Sequence, residues 1–221
     1  MDEKLMDRII KLCKANYPVH NWEGHLMPVV DISLRLCEEH KADRGIIEPA
    51  AYLHDIGRVK VFDYLKIIGI GHEVSGYHYS LFKLWQYGCM DETRERIARC
   101  VLEHCGTGLS KYSPTSLEAE IVMNADAIAS FDQYLYLVAI FYASHGRDLK
   151  KTKEWVLGKL KRDWETKLTL SGVKEEIEPG YKRIKNELTN IPKNNWMYGG
   201  SDGVAKLQES FHQQPIGGKG K

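Results

Sequence analysis

AAYLHDIGR, residues 50–58, decides how this chain is read. The stretch closes a helical pattern that begins near Gly45, with Glu48-Pro49 in its first turn, where proline is tolerated. Ile47, Ala50, Ala51 and His54 fall on one face at helical spacing, and Gly57 stops the helix. An imidazole therefore lies on an apolar, inward stripe, and a carboxylate, Asp55, follows where the helix ends. A lone histidine on such a stripe is ordinarily a core residue with one hydrogen-bond partner. A carboxylate beside it is harder to accommodate, since burying its charge is costly unless it is paired, protonated or bound to a metal.

Outward from this stretch, helical spacing holds almost everywhere and strand alternation almost nowhere. One helix spans residues 3–16 and ends before Tyr17-Pro18. The next spans 22–40, with Trp22, His25, Val29, Ile32 and Leu36 on one face. Residues 57–71 read as loop or broken helix, with Gly69 and Gly71 as turn residues. A helix then runs from His72 to about Gln86. Another starts after Asp91 as N-cap, carries Ile97, Val101 and His104, and ends at Gly106 and Gly108. Thr115 with Glu118 has the form of a capping box and opens a long helix over 116–145. Trp155, Leu157, Leu160, Trp164 and Leu168 mark a further helix, and Ile177, Tyr181, Ile184 and Leu188 the last. Residues 201–211 form at most one weak helix, and the polar tail over 191–221 is expected to be partly disordered. The fold class is thus all-α: a helical core over 1–146, with a helical pair over 147–190 packed on its side.

The totals narrow the function. A chain of 221 residues with 43% hydrophobic and 28% charged residues suits one globular domain with a small appendage. The net charge of +1 does not suggest a polymeric nucleic acid as main partner. Five cysteines, an odd number without a CxxC, argue for free thiols in a reducing compartment. No apolar run approaches the ~20 residues of a membrane span, and the charged, amphipathic N-terminus does not read as a signal peptide. The expectation is a cytoplasmic protein without membrane contact. The amphipathic helices after residue 148 offer a surface for a homodimer.

His25, His54 and His104 each fall on an apolar helix stripe, and Asp126 stands at the edge of another. With Asp55, that makes three histidines and two aspartates on inward faces of neighbouring helices. A divalent cation is the most economical common partner, because it accepts neutral imidazole and carboxylate together. Mn, Mg, Fe, Co, Ni or Zn are all admitted by such mixed ligation.

The order His25, His54-Asp55, Asp126 resembles the H…HD…D signature of the HD superfamily of metal-dependent phosphohydrolases. "AAYLHDIGR" is similar to that family's helix around its HD pair, and "VMNADAIAS" to the segment around its last aspartate. The resemblance covers roughly residues 20–132. It implies an HD-type helical bundle in which His25, His54, Asp55 and Asp126 hold a metal ion. Its extended form places His72 and His104 at a second metal position, with ions ~3.5–4 Å apart, or in contact with phosphate. His78, six residues after His72, competes for that role. The implied activity is hydrolysis of a phosphomonoester, phosphodiester or phosphoanhydride of a small substrate, with a nucleotide the best guess. Arg58 is expected to face the phosphate through its bidentate fork. Glu73 is a further candidate as base or as an exposed first-turn residue. Cys100 and Cys105 are read as space-filling. Two other readings share the signature: a di-iron oxygenase using the same six residues, and a nucleotide sensor without turnover.

Overall fold

The computed structural model describes residues 2–58, 71–106, 111–144 and 146–190. Among these every regular element is helical and no strand occurs, as the spacing predicts. Gly69, Gly108, His145, His212 and the whole tail lie outside the described residues.

The first helix, α1 (Glu3–Asn16), is capped by Asp2, whose side chain accepts from the Lys4 amide, and ends before Tyr17-Pro18. A short turn, α2 (Val19–Asn21), leads into a π-helical segment, Trp22–Leu26, and on into α3 (Met27–His40). The expected single helix over 22–40 therefore has a wide first turn. Gly24 lies in it, and a Cβ there would come within 2.5 Å of the Tyr136 ring. The missing side chain lets the two segments touch.

Helix α4 (Arg44–Leu53) is capped by Asp43 through the Gly45 amide. Pro49 lies in its interior rather than its first turn. The carbonyl left without its helical partner is that of Gly45, a half-buried residue which water can reach. The helix also ends earlier than expected: His54 and Asp55 form a turn, followed by a 3₁₀ turn, Ile56–Arg58.

Helix α5 (His72–Gln86) packs on that 3₁₀ turn and along α6 (Asp91–Glu103). The N-cap of α6 is Met90, not Asp91, which instead joins Glu92 in the first turn, where carboxylates complement the helix dipole. The expected Thr115–Glu118 capping box is also replaced. Ser116 caps α7 (Leu117–Asp132) through the Ala119 amide, while Thr115 donates its amide and hydroxyl to the buried Glu103 carboxylate.

Helix α7 is the axis of the molecule. It is buried on nearly every side from Ala119 to Phe131 and packs against α3, α4 and α6 as well as the later helices. The expected long helix over 116–145 is broken at Gln133, and α8 (Tyr134–Ser144) continues from it. α9 (Leu149–Thr166) and α10 (Val173–Asn190) follow. Their buried Val156, Leu160, Ile177, Tyr181, Ile184 and Leu188 join the same apolar cluster as α1, α3, α4 and α7. None of the described helices is long and apolar enough to cross a membrane.

Candidate metal centre

Five elements deliver polar side chains to one region of the core. His25 comes from the π-helical turn, a conformation that re-aims side chains and recurs at functional sites. His54 and Asp55 come from the turn closing α4. His72 is the first residue of α5, His104 follows the last residue of α6, and Asp126 comes from the middle of α7.

Gly57 sets how close these elements approach. A Cβ on it would stand 2.0 Å from the His72 carbonyl oxygen and 2.6 Å from the Gly76 amide nitrogen. Only glycine lets the start of α5 rest on the turn that carries His54-Asp55. Ser75 ties the same region by donating its hydroxyl to the carbonyls of Gly71 and His72.

His54 and His104 are oriented alike. Each lies beside its backbone three residues back, with Nδ1 2.7 Å from the carbonyl oxygen of Ala51 and of Val101 respectively. A proton on Nδ1 donated there leaves the Nε2 lone pair pointing into the cluster, the arrangement a metal-ligating imidazole needs. His25 Nε2 is 3.1 Å from His54 Nε2, and His72 Nε2 is 3.3 Å from His104 Nε2. Two pairs of imidazoles thus face each other nitrogen to nitrogen.

Asp55 lies between the pairs. Its Oδ2 is 3.4 Å from His25 Nε2 and 3.8 Å from His54 Nε2. Its Oδ1 is 3.2 Å from His72 Nε2 and 3.4 Å from His104 Nε2. Asp126 completes the first group, with Oδ1 3.5 Å from His25 Nε2. His25, His54 and Asp126 form one set whose ligand atoms lie close enough to share an ion, and His72, His104 and Cys105 form another.

Charged partners surround the cluster. Arg58 donates from Nε to Asp55 Oδ1 at 2.6 Å while half its side chain remains exposed. Burial by itself would push the Asp55 carboxyl up, but Arg58 and the histidines hold it well below the ordinary carboxylate range. Burial likewise opposes the Asp126 charge, and Lys167 reverses the effect by donating to Asp126 Oδ2. His54 is fully buried, which pulls its pKa down to about 3 and keeps the ring neutral. At the other group burial disfavours charge on His104, yet Cys105 and Asp55 outweigh it and push its pKa up to about 10. So many acceptors facing one another attract a cation, and protons compete with a metal for these positions.

The remaining expectations divide. His78 points outward, exposed, with its ring against Tyr77, so His72 is the histidine that enters the cluster. Glu73 is half-buried rather than exposed, with Oε2 3.4 Å from His72 Nδ1. Cys105 is no mere filler, since its sulfur lies 3.3 Å from His72 Nε2 and 3.4 Å from His104 Nε2. Tyr136, near Gly24, donates to Asn21 Oδ1, and burial together with the Asp55 charge pushes its phenol up to about 12.

Lys167 is the residue that the sequence reading missed. It follows α9, is 3% exposed, and meets Asp126 from the C-terminal helices. Asn124, two residues before Asp126, holds the next segment by accepting from the Thr169 and Leu170 amides. Neither side chain advertises this in sequence. A lysine at the end of a charged helix reads as solvated, although it continues the inward face that the buried Thr152, Val156, Leu160 and Asp163 mark on α9.

Comparisons with known proteins bear on the family and the fold. Residues 22–130 match the HD domain family. The crystal structure of Bacillus subtilis YpgQ is 18% identical with a TM-score of 0.64, over 86% of this chain and 97% of that one. The same protein in complex with ADP gives 19% and 0.61, over 87% of this chain and 99% of that one. At these identities the likeness speaks for the fold. A tRNA (cytidine(56)-2'-O)-methyltransferase of Picrophilus torridus is 27% identical over 125 residues, 51% of this chain, and the chain spans only 33% of that protein's length. HD domains bind divalent metals, and the matched span holds every side chain that converges on Asp55 from α4 through α7. The chain belongs to the HD-domain family.

Proposed function

We propose that this protein hydrolyses a phosphoester or phosphoanhydride bond of a small phosphorylated substrate, a nucleotide first among them. His25, His54, Asp55 and Asp126 would hold one divalent ion, and His72 and His104, with Asp55 beside them, would hold a second. The observation carrying this reading is Asp55 itself, a buried carboxylate whose two oxygens each face a different pair of imidazole nitrogens. Bound ions would supply Lewis-acid activation of a phosphoryl oxygen and a nucleophilic water at neutral pH.

The chain's own residues do the rest. The carbonyls of Ala51 and Val101 fix the tautomers of His54 and His104, and Glu73 steadies the His72 ring. Arg58, anchored on Asp55 and half exposed, stands between the buried carboxylate and solvent, where its fork suits a phosphate. Glu73 acts as an orienting group, not as the base. The nucleotide class is supported by YpgQ, a protein of the same fold, having been crystallised with ADP.

Nucleotides and generic phosphoesters are screened with protein loaded with Mn²⁺, Mg²⁺, Co²⁺ or Ni²⁺. Turnover that disappears in Asp55→Asn is the expected result. Absence of turnover with every ion, in protein that demonstrably binds metal, overturns the proposal. One rival draws on the same observation, because a di-iron oxygenase uses the same six residues. Tight iron binding with the optical or EPR signature of a coupled pair, and no phosphatase activity, selects it.

A further inference from the structure

The geometry points to Cys105 as a ligand at the second metal position, which makes that position a thiolate site for a zinc-like divalent ion. The inference rests on the metal-binding reading of the cluster and adds to it a specific ligand and a metal preference.

Five separations carry the argument. His72 Nε2 and His104 Nε2 are 3.3 Å apart. Cys105 Sγ is 3.3 Å from the first and 3.4 Å from the second. Asp55 Oδ1 is 3.2 Å and 3.4 Å from the same two nitrogens. A tetrahedral ion with metal–nitrogen bonds of ~2.0–2.1 Å and a metal–sulfur bond of ~2.3 Å requires nitrogen–nitrogen edges of ~3.3–3.4 Å and nitrogen–sulfur edges of ~3.5–3.6 Å. The measured separations lie within a few tenths of an ångström of that figure. An octahedral ion with ligands at ~2.1 Å would draw neighbouring donors to ~3.0 Å.

The orientation of the donors points the same way. His104 Nδ1 lies on the Val101 carbonyl and His72 Nδ1 faces Glu73, so both Nε2 atoms are aimed at each other. The Asp55 oxygen and the Cys105 sulfur face the same two nitrogens, so a cation held there, proton or metal ion, is shared among these groups. His104 and Cys105 are 1% and 2% exposed, so water does not relieve the excess of acceptors. Local chain geometry puts these consecutive residues on the same side. α6 ends at Glu103, and Gly106, in the left-handed region at φ 64°, turns the chain away just after them. Cys13 and Cys37, by contrast, donate to the backbone carbonyls of Tyr52 and Ala42.

A thiolate ligand selects Zn²⁺, Co²⁺ or Fe²⁺ over Mg²⁺ or Mn²⁺. It also changes what the second ion can do. His72, His104 and Cys105 would supply three ligands, and Asp55 Oδ1, which faces both imidazoles, would close the shell as the fourth and leave no position for water. His25, His54 and Asp126 would then hold the ion that supplies the activated water, and His72, His104 and Cys105 would hold one that anchors Asp55.

The test uses the full chain, stripped with a chelator and reloaded with Co²⁺ or Zn²⁺. Wild-type cobalt protein is expected to show a near-ultraviolet sulfur-to-cobalt charge-transfer band, absent from Cys105→Ser and Cys105→Ala. Zinc titration should give two ions in the wild type, with the second weakened at least ~10-fold in Cys105→Ser and the first unchanged. Because Cys105 is buried and a variant can fail to fold, X-ray absorption on wild-type zinc protein provides a second reading, a sulfur neighbour at ~2.3 Å. Ion uptake with only nitrogen and oxygen neighbours and no sulfur band overturns this inference and leaves the proposed function standing. Failure of the wild type to take up any ion overturns both.

Discussion

Replacing Lys167 by methionine tests whether the C-terminal helices are part of the site. Lys167 and Asp126 are both nearly inaccessible, and Lys167 Nζ donates to Asp126 Oδ2. Methionine keeps most of the side-chain volume and removes the charge, so what changes is the pairing of Asp126. Removing one member of a buried ion pair costs about 3–5 kcal/mol, because the other charge stays behind uncompensated. For a chain of this size that is ~6–20 °C in Tm. Urea denaturation followed by circular dichroism, with a chelator present, measures it. The double variant Lys167→Met/Asp126→Asn should recover most of the loss, since it leaves no unpaired charge. The pH dependence has a definite sign. In the wild type Asp126 is held below the ordinary carboxylate pKa, so its contribution is present above the unfolded value of about 3.8 and fades as pH falls through the folded one. Without the ammonium, burial pushes the carboxyl up instead. The variant then takes up a proton on folding, and its deficit shrinks as the solution is acidified. A saturating divalent ion should narrow the gap too, by compensating the same carboxylate. A deficit below about 1 kcal/mol at neutral pH, or a double variant as unstable as the sum of the singles, refutes the reasoning.

Three further outcomes bear on the site. His54→Ala and Asp126→Ala should each lose most of the bound metal by elemental analysis, and unchanged metal content in both sinks the metal centre. Gly57→Ala should lose about 1–3 kcal/mol or fail to fold, because its methyl group meets the His72 carbonyl; a stable variant with intact metal content contradicts that packing. Arg58→Ala should keep the metal but lower kcat/KM for phosphorylated substrates by about 10–150-fold, the equivalent of one charge-assisted hydrogen bond. An unchanged value removes Arg58 from the phosphate site.

The histidine and aspartate positions were legible because helical spacing is a strong signal for which face is inward. His25, His54 and His104 needed only that, and the family resemblance supplied His72. Element boundaries were less legible. α4 was read as running to Ile56, yet it ends at Leu53 and leaves His54-Asp55 in a turn. The π-helical turn around His25 has the same apolar pattern as an ordinary helix, so spacing does not distinguish them. Spacing alone left His78 as a competitor and the resemblance favoured His72, since the direction of a first-turn residue depends on how α5 docks against Gly57. Cys105 carries no motif, and its placement depends on how α6 ends.

Lys167 changes the argument for a metal more than any other residue. From sequence, two buried carboxylates without visible partners were the strongest reason to invoke a cation. In the fold each has one: Arg58 meets Asp55 and Lys167 meets Asp126. Each buried carboxylate is thus paired with a basic side chain, so its charge alone no longer calls for an ion. What favours it is direction. Four Nε2 atoms converge in two facing pairs, two of them with Nδ1 placed on a backbone carbonyl, and Asp55 presents one oxygen to each pair. Lone pairs placed nitrogen to nitrogen repel unless a proton or a metal ion lies between them. The two basic side chains meet the carboxylates and not the imidazole nitrogens. The case for the metal centre therefore rests on the orientation of the imidazoles, which the carbonyls of Ala51 and Val101 set, and less on the burial of Asp55 and Asp126.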